Sequence, residues 1–357
     1  MTNHYGQSIR SDALEPGPDD YAGGGPSRIA HKIVRWLPVY GLPVIMVLLI
    51  ALFSILLPQT FPTFLNVRAI LGDKAVIAVL ALAAMVPMVT GKIDLSVGYG
   101  VALWHILAVA LIVQSDLPWP VAVLIVLLLG AILGVINGLL VELAQIDAFI
   151  ATLGTGTILY AISLWYTGGR QVVGHLPDGF LLINAGDIFG IPLPAFYVLA
   201  IALALWVALE YLPLGRYFYA IGANPRAAQL NGISVRSSVI LAFVVSGVLG
   251  AFAGVLLASK LRIGQASVGL EFLLPALVGA FLGSTTIRPG RVNVWGTLIG
   301  VSILAVGISG IQQFGGEFYV EPLFNGATLI VAIGLASHSG RRRAKVKDGR
   351  NDKKRSA

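Results

Sequence analysis

The sequence predicts an all-α polytopic membrane protein of about ten transmembrane helices. Three observations carry that prediction. Of the 357 residues, 57% are hydrophobic and 11% charged, whereas a soluble domain carries about 25% charged residues. The mean hydropathy is +0.85. The apolar residues also fall in runs that approach the ~20 residues needed to cross a bilayer core. Cysteine is absent, which excludes disulfides and thiolate metal sites. The five histidines, His4, His31, His105, His175 and His338, show no metal-ligand spacing. No metal or cofactor is therefore expected. The net charge of +7 would suit nucleic acid, but nine of the 24 Lys and Arg lie in the stretch "RRRAKVKDGRNDKKR". In a membrane protein that stretch is a topology signal, and no nucleic-acid partner is expected.

Residues 1–35 are polar, with "EPGPDD" and "AGGGPS", and read as a flexible cytoplasmic tail. The first apolar run begins near Trp36 and ends in "LLPQTFPTF" without a small-residue cleavage site, so it reads as a permanent helix rather than a signal peptide. Further spans begin near Ala75, Val97, Trp119, Ala148, Leu193, Ser238, Glu271, Asn293 and Val320. The third, fifth and eighth are short or interrupted by Gly, Pro or polar residues, so eight or nine spans also satisfy the pattern. Residues 36–337 form the transmembrane domain and residues 338–357 a basic cytoplasmic tail. With the N-terminus inside, 19 Lys and Arg fall inside and five outside, as the positive-inside rule requires. Without the tails the split is six to five, so the tails set the ends and leave the internal register open. "GAILGVINGLL" (130–140) echoes "GTLIGVSILAVG" (296–307), and each precedes another apolar span. Two five-helix halves would be inverted, because the count in each is odd. The alternative is that small-xxx-small spacing merely lets helices approach.

The stretch "VTGKIDLSVG" (89–98) sets Lys92 and Asp94 between two apolar runs, with Gly91, Gly98 and Gly100 around the break. Asp94 can accept hydrogen bonds from the free N–H groups of the next helix, and Ser96 can do so one register later. An irregular segment at membrane depth must be buried in protein or line a wet cavity. Asp94 is therefore a half-helix cap, part of a solute path, or a proton relay, and Lys92 either reaches cytoplasmic water or neutralises it. Asn137, between Gly134 and Gly138, suits an interhelical hydrogen bond or pore lining. In "ATLGTGTILYAIS" (151–163), Thr152, Thr155, Thr157 and Ser163 offer weak hydroxyl partners to a passing polar solute, or bond the backbone carbonyl four residues back. His105 reads as a lone helix-facing or packing residue. Glu271 opens the eighth span, where an inverted repeat would put the counterpart of Asp94, and the helix dipole favours an acid there in any case. In "AIGANPRAAQLNGISV" (220–235), Asn224 can N-cap, Pro225 suits the first turn and Gly232 ends a helix of roughly seven residues. So short a helix is marginal alone. Ala227, Ala228 and Leu230 give it contact surface, while Arg226 and Arg236 give it charge.

Four motifs in order, "TGKIDLSVG", "AFIATLGT", "LGRYFYAIGANPRAAQLNGI" and "VWGTLIG", resemble the ribose-type permeases of bacterial ABC sugar importers. The resemblance runs from about Trp36 to Ala336. It implies a permease subunit in a bacterial inner membrane, with both termini cytoplasmic. It further implies a second permease chain, a cytoplasmic ABC ATPase, a periplasmic sugar-binding protein, and a monosaccharide or polyol as solute. The loop at about residues 213–237 resembles the coupling segment that docks into the ATPase. The alternative is a surface helix leaning on its own membrane domain. Three departures suggest a side branch of the family: Lys92 replaces the usual Gly, an Asp after Glu271 is missing, and the basic tail is long.

There is no G-x-x-x-x-G-K-[ST] phosphate loop, since "TGKID" lacks both the upstream spacing and the hydroxyl. No H-E-x-x-H, G-x-S-x-G or carboxylate pair marks an enzyme. The chain is expected not to be an enzyme, with ATP hydrolysed on a partner. An ion-coupled secondary sugar carrier is the runner-up and would need Asp94 in an ion-binding cluster. A membrane enzyme is the third class and would need acid–base groups that this sequence does not offer.

Overall fold

The computed structural model describes residues 28–317 and 319–330, with side chains from Tyr40 onward. Most of the expected N-terminal tail, the C-terminal tail and the end of the last apolar run lie outside the described residues. Of the first compact unit, Met1–Leu37, only the start of α1 is described. The second unit runs from Pro38 onward and carries the rest of the described structure.

The elements run α1 (Arg28–Leu56), α2 (Phe64–Asp73), α3 (Ala75–Val89), α4 (Ser96–Val113), α5 (Trp119–Glu142), α6 (Ala148–Thr167) and α7 (Asp178–Ala185). A hairpin of β1 (Asp187–Ile188) and β2 (Ile191–Pro192) leads to α8 (Leu193–Glu210), α9 (Pro213–Ala223) and α10 (Pro225–Leu230). Then come α11 (Val235–Leu261), a single 3-10 turn (Ala266–Val268), α12 (Leu270–Gly283) and α13 (Val294–Gln313), with a further helix over residues 320–330. Among the described residues seven helical segments are long and apolar enough to cross a membrane, or eight if α2 and α3, bent by 44° at Lys74, count as one span. The part of α1 whose side chains are described, Tyr40–Leu56, is apolar but shorter.

Helices that are apolar all round belong in the interior, and they are found there. Every residue of α3 except Met88 is buried. It lies against α11 and α12, and α11 lies against α4 and α5. Peripheral helices divide their faces. On α5, Ala122, Val126, Leu133 and Asn137 turn inward, while Leu124, Leu128 and Ile132 point out at a four-residue spacing, as a lipid-facing stripe does.

The two echoing small-residue stripes are both packing surfaces. A Cβ on Gly134 would lie 2.4 Å from the Phe243 carbonyl oxygen, so only glycine lets α5 and α11 touch backbone to backbone. The Gly296 and Gly300 stripe of α13 lies instead against Gly283 and Gly279 of α12. The β-hairpin was not expected from the sequence. Its two central residues, Phe189 and Gly190, both have positive φ, 51° and 79°, the geometry that a two-residue hairpin turn requires.

Candidate functional site

The break between α3 and α4 forms because α3 ends at Val89 and Asp94 starts the next helix. Asp94 Oδ1 accepts from the Ser96 backbone N–H at 2.9 Å and from Ser96 Oγ at 2.6 Å. Asp94 therefore caps α4 from one residue earlier than an ordinary N-cap, a position held here by Leu95. Its other oxygen accepts from Ser246 Oγ, on α11, at 2.8 Å. Ser96 is not itself a cap. Its hydroxyl donates to Asp94 and accepts from Asn137 Nδ2 at 2.8 Å. Asn137 Oδ1 in turn accepts from Thr155 Oγ1 at 2.7 Å. Thr152 Oγ1 accepts from the Leu95 N–H at 3.0 Å and donates to the Ala148 carbonyl at 2.7 Å.

Five of the six residues singled out for the solute path or capping thus meet at one place, joining α4, α5, α6 and α11. Asp94, Ser96, Asn137, Thr152 and Ser246 are all buried. The donors run from Thr155 through Asn137 and Ser96 to Asp94, and Ser246 arrives from the other side. Along that chain each named donor points toward the carboxylate, and both Asp94 oxygens have side-chain donors. An unpaired carboxylate at this depth would be very costly. Lys92 does not neutralise Asp94. It lies 3.8 Å from Glu142, at the end of α5, with a partly exposed side chain. Thr157 and Ser163 bond carbonyls four residues back, as does Thr152.

The sixth residue, Glu271, stands apart. It is exposed in the first turn of α12 and lines a cavity of about 930 Å³ together with Lys74, Lys260, Gln312, Glu321 and Asn325. Val235 and Leu261 bound α11, and at about 1.5 Å per residue its 27 residues put that cavity roughly 40 Å along the helix axis from α10.

At the α10 end, Asn224 Oδ1 accepts from the Ala227 N–H at 3.0 Å, Pro225 takes the first turn, and Gly232 follows the helix with a φ of +80°. The helix has six residues. Ala228 is buried against Val141, Ala151, Ile221 and Val239. Arg226 and Ala227 are exposed, and Leu230 is 84% exposed. The element is fixed to the bundle by α9, where a Cβ on Gly222 would lie 2.2 Å from the Val89 carbonyl oxygen. Beside it, Arg291 stacks on the Tyr219 ring at 3.5 Å, and Tyr219 OH donates to the Val292 carbonyl at 2.9 Å. Glu210 pairs with both Arg288 and Arg291. These contacts fasten α9, through Tyr219, and the end of α8, through Glu210, to the loop between α12 and α13.

Residue-level reading missed several partners. Ser246 lies in "VVSGVLG" (244–250), where the sequence offers no signal beyond a hydroxyl in mid-span. His105 is more than packing. Its Nδ1 lies 3.1 Å from the Val101 carbonyl, and its Nε2 accepts from the Gln265 N–H at 2.9 Å. It thereby ties α4 to the second break, between α11 and α12. Among the described residues no group of three or more His, Asp or Glu is placed to hold a metal ion.

Residues 66–333 match the family described as branched-chain amino acid transport system / permease component. The chain is 34% identical over 291 residues to the ribose import permease protein of Haemophilus influenzae, covering 81% of this chain and 90% of that protein. It is 30% identical over 327 residues to the D-allose transport system permease protein of Escherichia coli K12, covering 92% and 96% respectively. The galactose/methyl galactoside import permease protein of Salmonella typhimurium is 30% identical over 323 residues, covering 86% and 96%. No solved structure matches. With a match over most of its length and helices apolar enough to cross a membrane, the chain belongs to the family of permease components of branched-chain amino acid transport systems.

Proposed function

We propose that this protein is the permease subunit of an ATP-binding cassette importer for a monosaccharide or related polyol. The observation that carries the reading is its similarity, over most of the chain, to permeases named for ribose, allose and galactose. In this reading a periplasmic binding protein delivers solute, and two permease chains form the pore in a bacterial inner membrane. A separate cytoplasmic ATPase grips the segment at about residues 213–237, with residues 1–35 and 338–357 as cytoplasmic tails. Leu230 supports the docking role. It is a large apolar side chain on a short helix that only Ala228 anchors, and the bundle leaves it uncovered.

About ten spans arranged as two inverted five-helix halves fit the packing. The repeat pairs α3 with α11, α4 with α12, and α5 with α13. Crosswise, α11 packs on α4 and α5 while α3 packs on α12 and α13. Gly98 of α4 meets Leu273 of α12, and Gly269 meets Ala102, so two paired helices cross antiparallel. A two-fold axis in the membrane plane produces that relation.

The Asp94 cluster serves as a staple around the broken helix rather than a surface for solute, because its polar atoms satisfy one another and all but the half-buried Thr155 lie on buried residues. The same saturation argues against the ion-coupled carrier, which needs coordinating oxygens to spare.

The test is sugar uptake into vesicles holding the permease, the ATPase and the binding protein. ATP-dependent accumulation that survives collapse of the proton gradient is the expected result. Accumulation by the permease alone, driven by an ion gradient, overturns the reading.

A further inference from the structure

We infer that the rim of the bundle where α8 ends and α13 begins is a binding site for the phosphate of an anionic phospholipid, with Arg288 as its principal donor. Of the seven candidate spans among the described residues, α8 has the smallest buried share. Leu199, Leu203 and Val207 leave it exposed at a four-residue spacing, and the same spacing continues to Tyr211, the residue that follows its last turn. A stripe of that kind faces acyl chains, so Tyr211 stands where the acyl region gives way to headgroups. Trp206 and Trp295 mark the same level. Trp206 meets the Tyr211 ring edge-on at 5.2 Å and the Trp295 ring at 6.0 Å, and both indoles are half-buried. Tyr and Trp collect at this depth because their rings are apolar while their O–H and N–H groups are not.

The charges beside those rings select the ligand. Arg288, in the loop between α12 and α13, pairs with Glu210, the last residue of α8, and lies within electrostatic range of Tyr211. Arg291 lies 3.6 Å from the other oxygen of Glu210 and is held over the Tyr219 ring. Two cations and one carboxylate leave one net positive charge. Their exposure is unequal, since the Arg288 side chain is 49% exposed and that of Glu210 only 18%. The carboxylate is therefore covered, and a guanidinium is what the surface presents. Glu210 takes a hydrogen bond from Nη1 of Arg288. The planar group carries further N–H donors, in a fork that fits phosphate oxygens. A phosphodiester balances the net charge, and its acyl chains lie along the α8 stripe. A zwitterionic headgroup would bring an ammonium up to a guanidinium whose charge is already in excess. A protein partner fits less well, because the cluster sits at the end of the acyl-facing stripe on α8 and not on α10. That the leaflet is the cytoplasmic one rests on the proposed function, whereas the existence of the site does not.

The full-length chain alone, stripped of lipid in detergent, is titrated with phosphatidylglycerol or with phosphatidylcholine of the same acyl chains. Bound lipid is counted by native mass spectrometry. The first phosphatidylglycerol should bind severalfold more tightly than the first phosphatidylcholine. Arg288→Gln should weaken that phosphatidylglycerol about fivefold, as expected for one basic residue beside an anionic headgroup, and leave phosphatidylcholine unchanged. Lys92→Gln removes a cation that is held instead 3.8 Å from Glu142, and should alter neither lipid. The melting midpoint without lipid checks that each variant folds. Should Arg288→Gln fail that check, Tyr211→Leu, at a position that is 64% exposed, is the second variant and should weaken phosphatidylglycerol severalfold. Equal affinity for the two lipids, or equal losses in Arg288→Gln and Lys92→Gln, overturns the inference. Displacement of phosphatidylglycerol by glycerol 3-phosphate makes the cluster a site for free phosphate and overturns the lipid assignment. Loss of ATPase binding in Arg288→Gln, with phosphatidylglycerol binding unchanged, gives the cluster to that subunit and overturns it too. The titration involves neither sugar nor ATP, so its failure leaves the transport reading standing, and failed uptake leaves the lipid site standing.

Discussion

Ser246 brings one hydroxyl into the membrane interior, and among the described residues it is the side-chain donor to the second oxygen of Asp94. Hydrogen bonds to charged groups contribute about 1.5–3 kcal/mol, and a buried acceptor left short loses a similar amount. Ser246→Ala should therefore destabilise the purified chain by about 1–3 kcal/mol, read as a lowered midpoint of thermal unfolding in detergent. Thr157→Ala is the control. Its hydroxyl bonds a carbonyl of its own helix on an exposed face, so the expected change is within about 0.5 kcal/mol. Equal shifts for the two variants would show that the buried cluster holds nothing together. Lys92 behaves differently again. Its long, partly exposed contact with Glu142 is a surface pair, and removing it should cost no more than about 1 kcal/mol.

Elements in this protein meet through small residues, and each such contact fails in its own way. Gly134→Leu drives a side chain into the backbone at Phe243 and Val244, where α11 has no room to yield. Such overpacking costs about 1–3 kcal/mol or more, and the expected outcome is loss of folded protein in a size-exclusion assay. Leu230 on α10 is the opposite case. Being 84% exposed, it can become Glu with folding intact. Leu230→Glu should therefore leave the melting midpoint unchanged while removing ATP-driven uptake and binding of the ATPase. Normal uptake with that substitution would mean that α10 is only a surface helix. The Tyr219 contacts with Arg291 and Val292 tie α9 to the loop between α12 and α13, and Glu210 ties the end of α8 to the same loop.

At the scale of the whole molecule, several basic side chains among the described residues divide between the two ends of the bundle. Arg226, Arg236, Arg288 and Arg291 lie toward α10, while Lys74 and Lys260 lie at the cavity mouth. The proposed orientation puts α10 in the cytoplasm. Single cysteines at Phe189 and Leu230, both exposed, test it with a membrane-impermeant maleimide on intact cells. Phe189→Cys should label at once, and Leu230→Cys only after permeabilisation. The reverse pattern would invert the molecule and detach the ATPase from its proposed grip.

Sequence by itself determined the membrane class, most of the helix starts and the capped form of α10. Those features depend on properties local to a short stretch: an apolar run, an Asn before a Pro, a Gly after an Asn. Even there the six-residue α10 needed Ala228 buried under α5, α6 and α11 to hold it. Sequence also pointed to Asp94, Ser96, Asn137, Thr152 and Thr155 as residues out of place in an apolar chain, without saying that they touch. Only the tertiary structure decided that Ser246, 152 positions away, completes the Asp94 site, that Lys92 turns to Glu142, and that Glu271 belongs to a different cavity. The reason is physical. Polar groups removed from water must find partners wherever packing brings them, and packing here follows small-residue contacts between helices far apart in the chain.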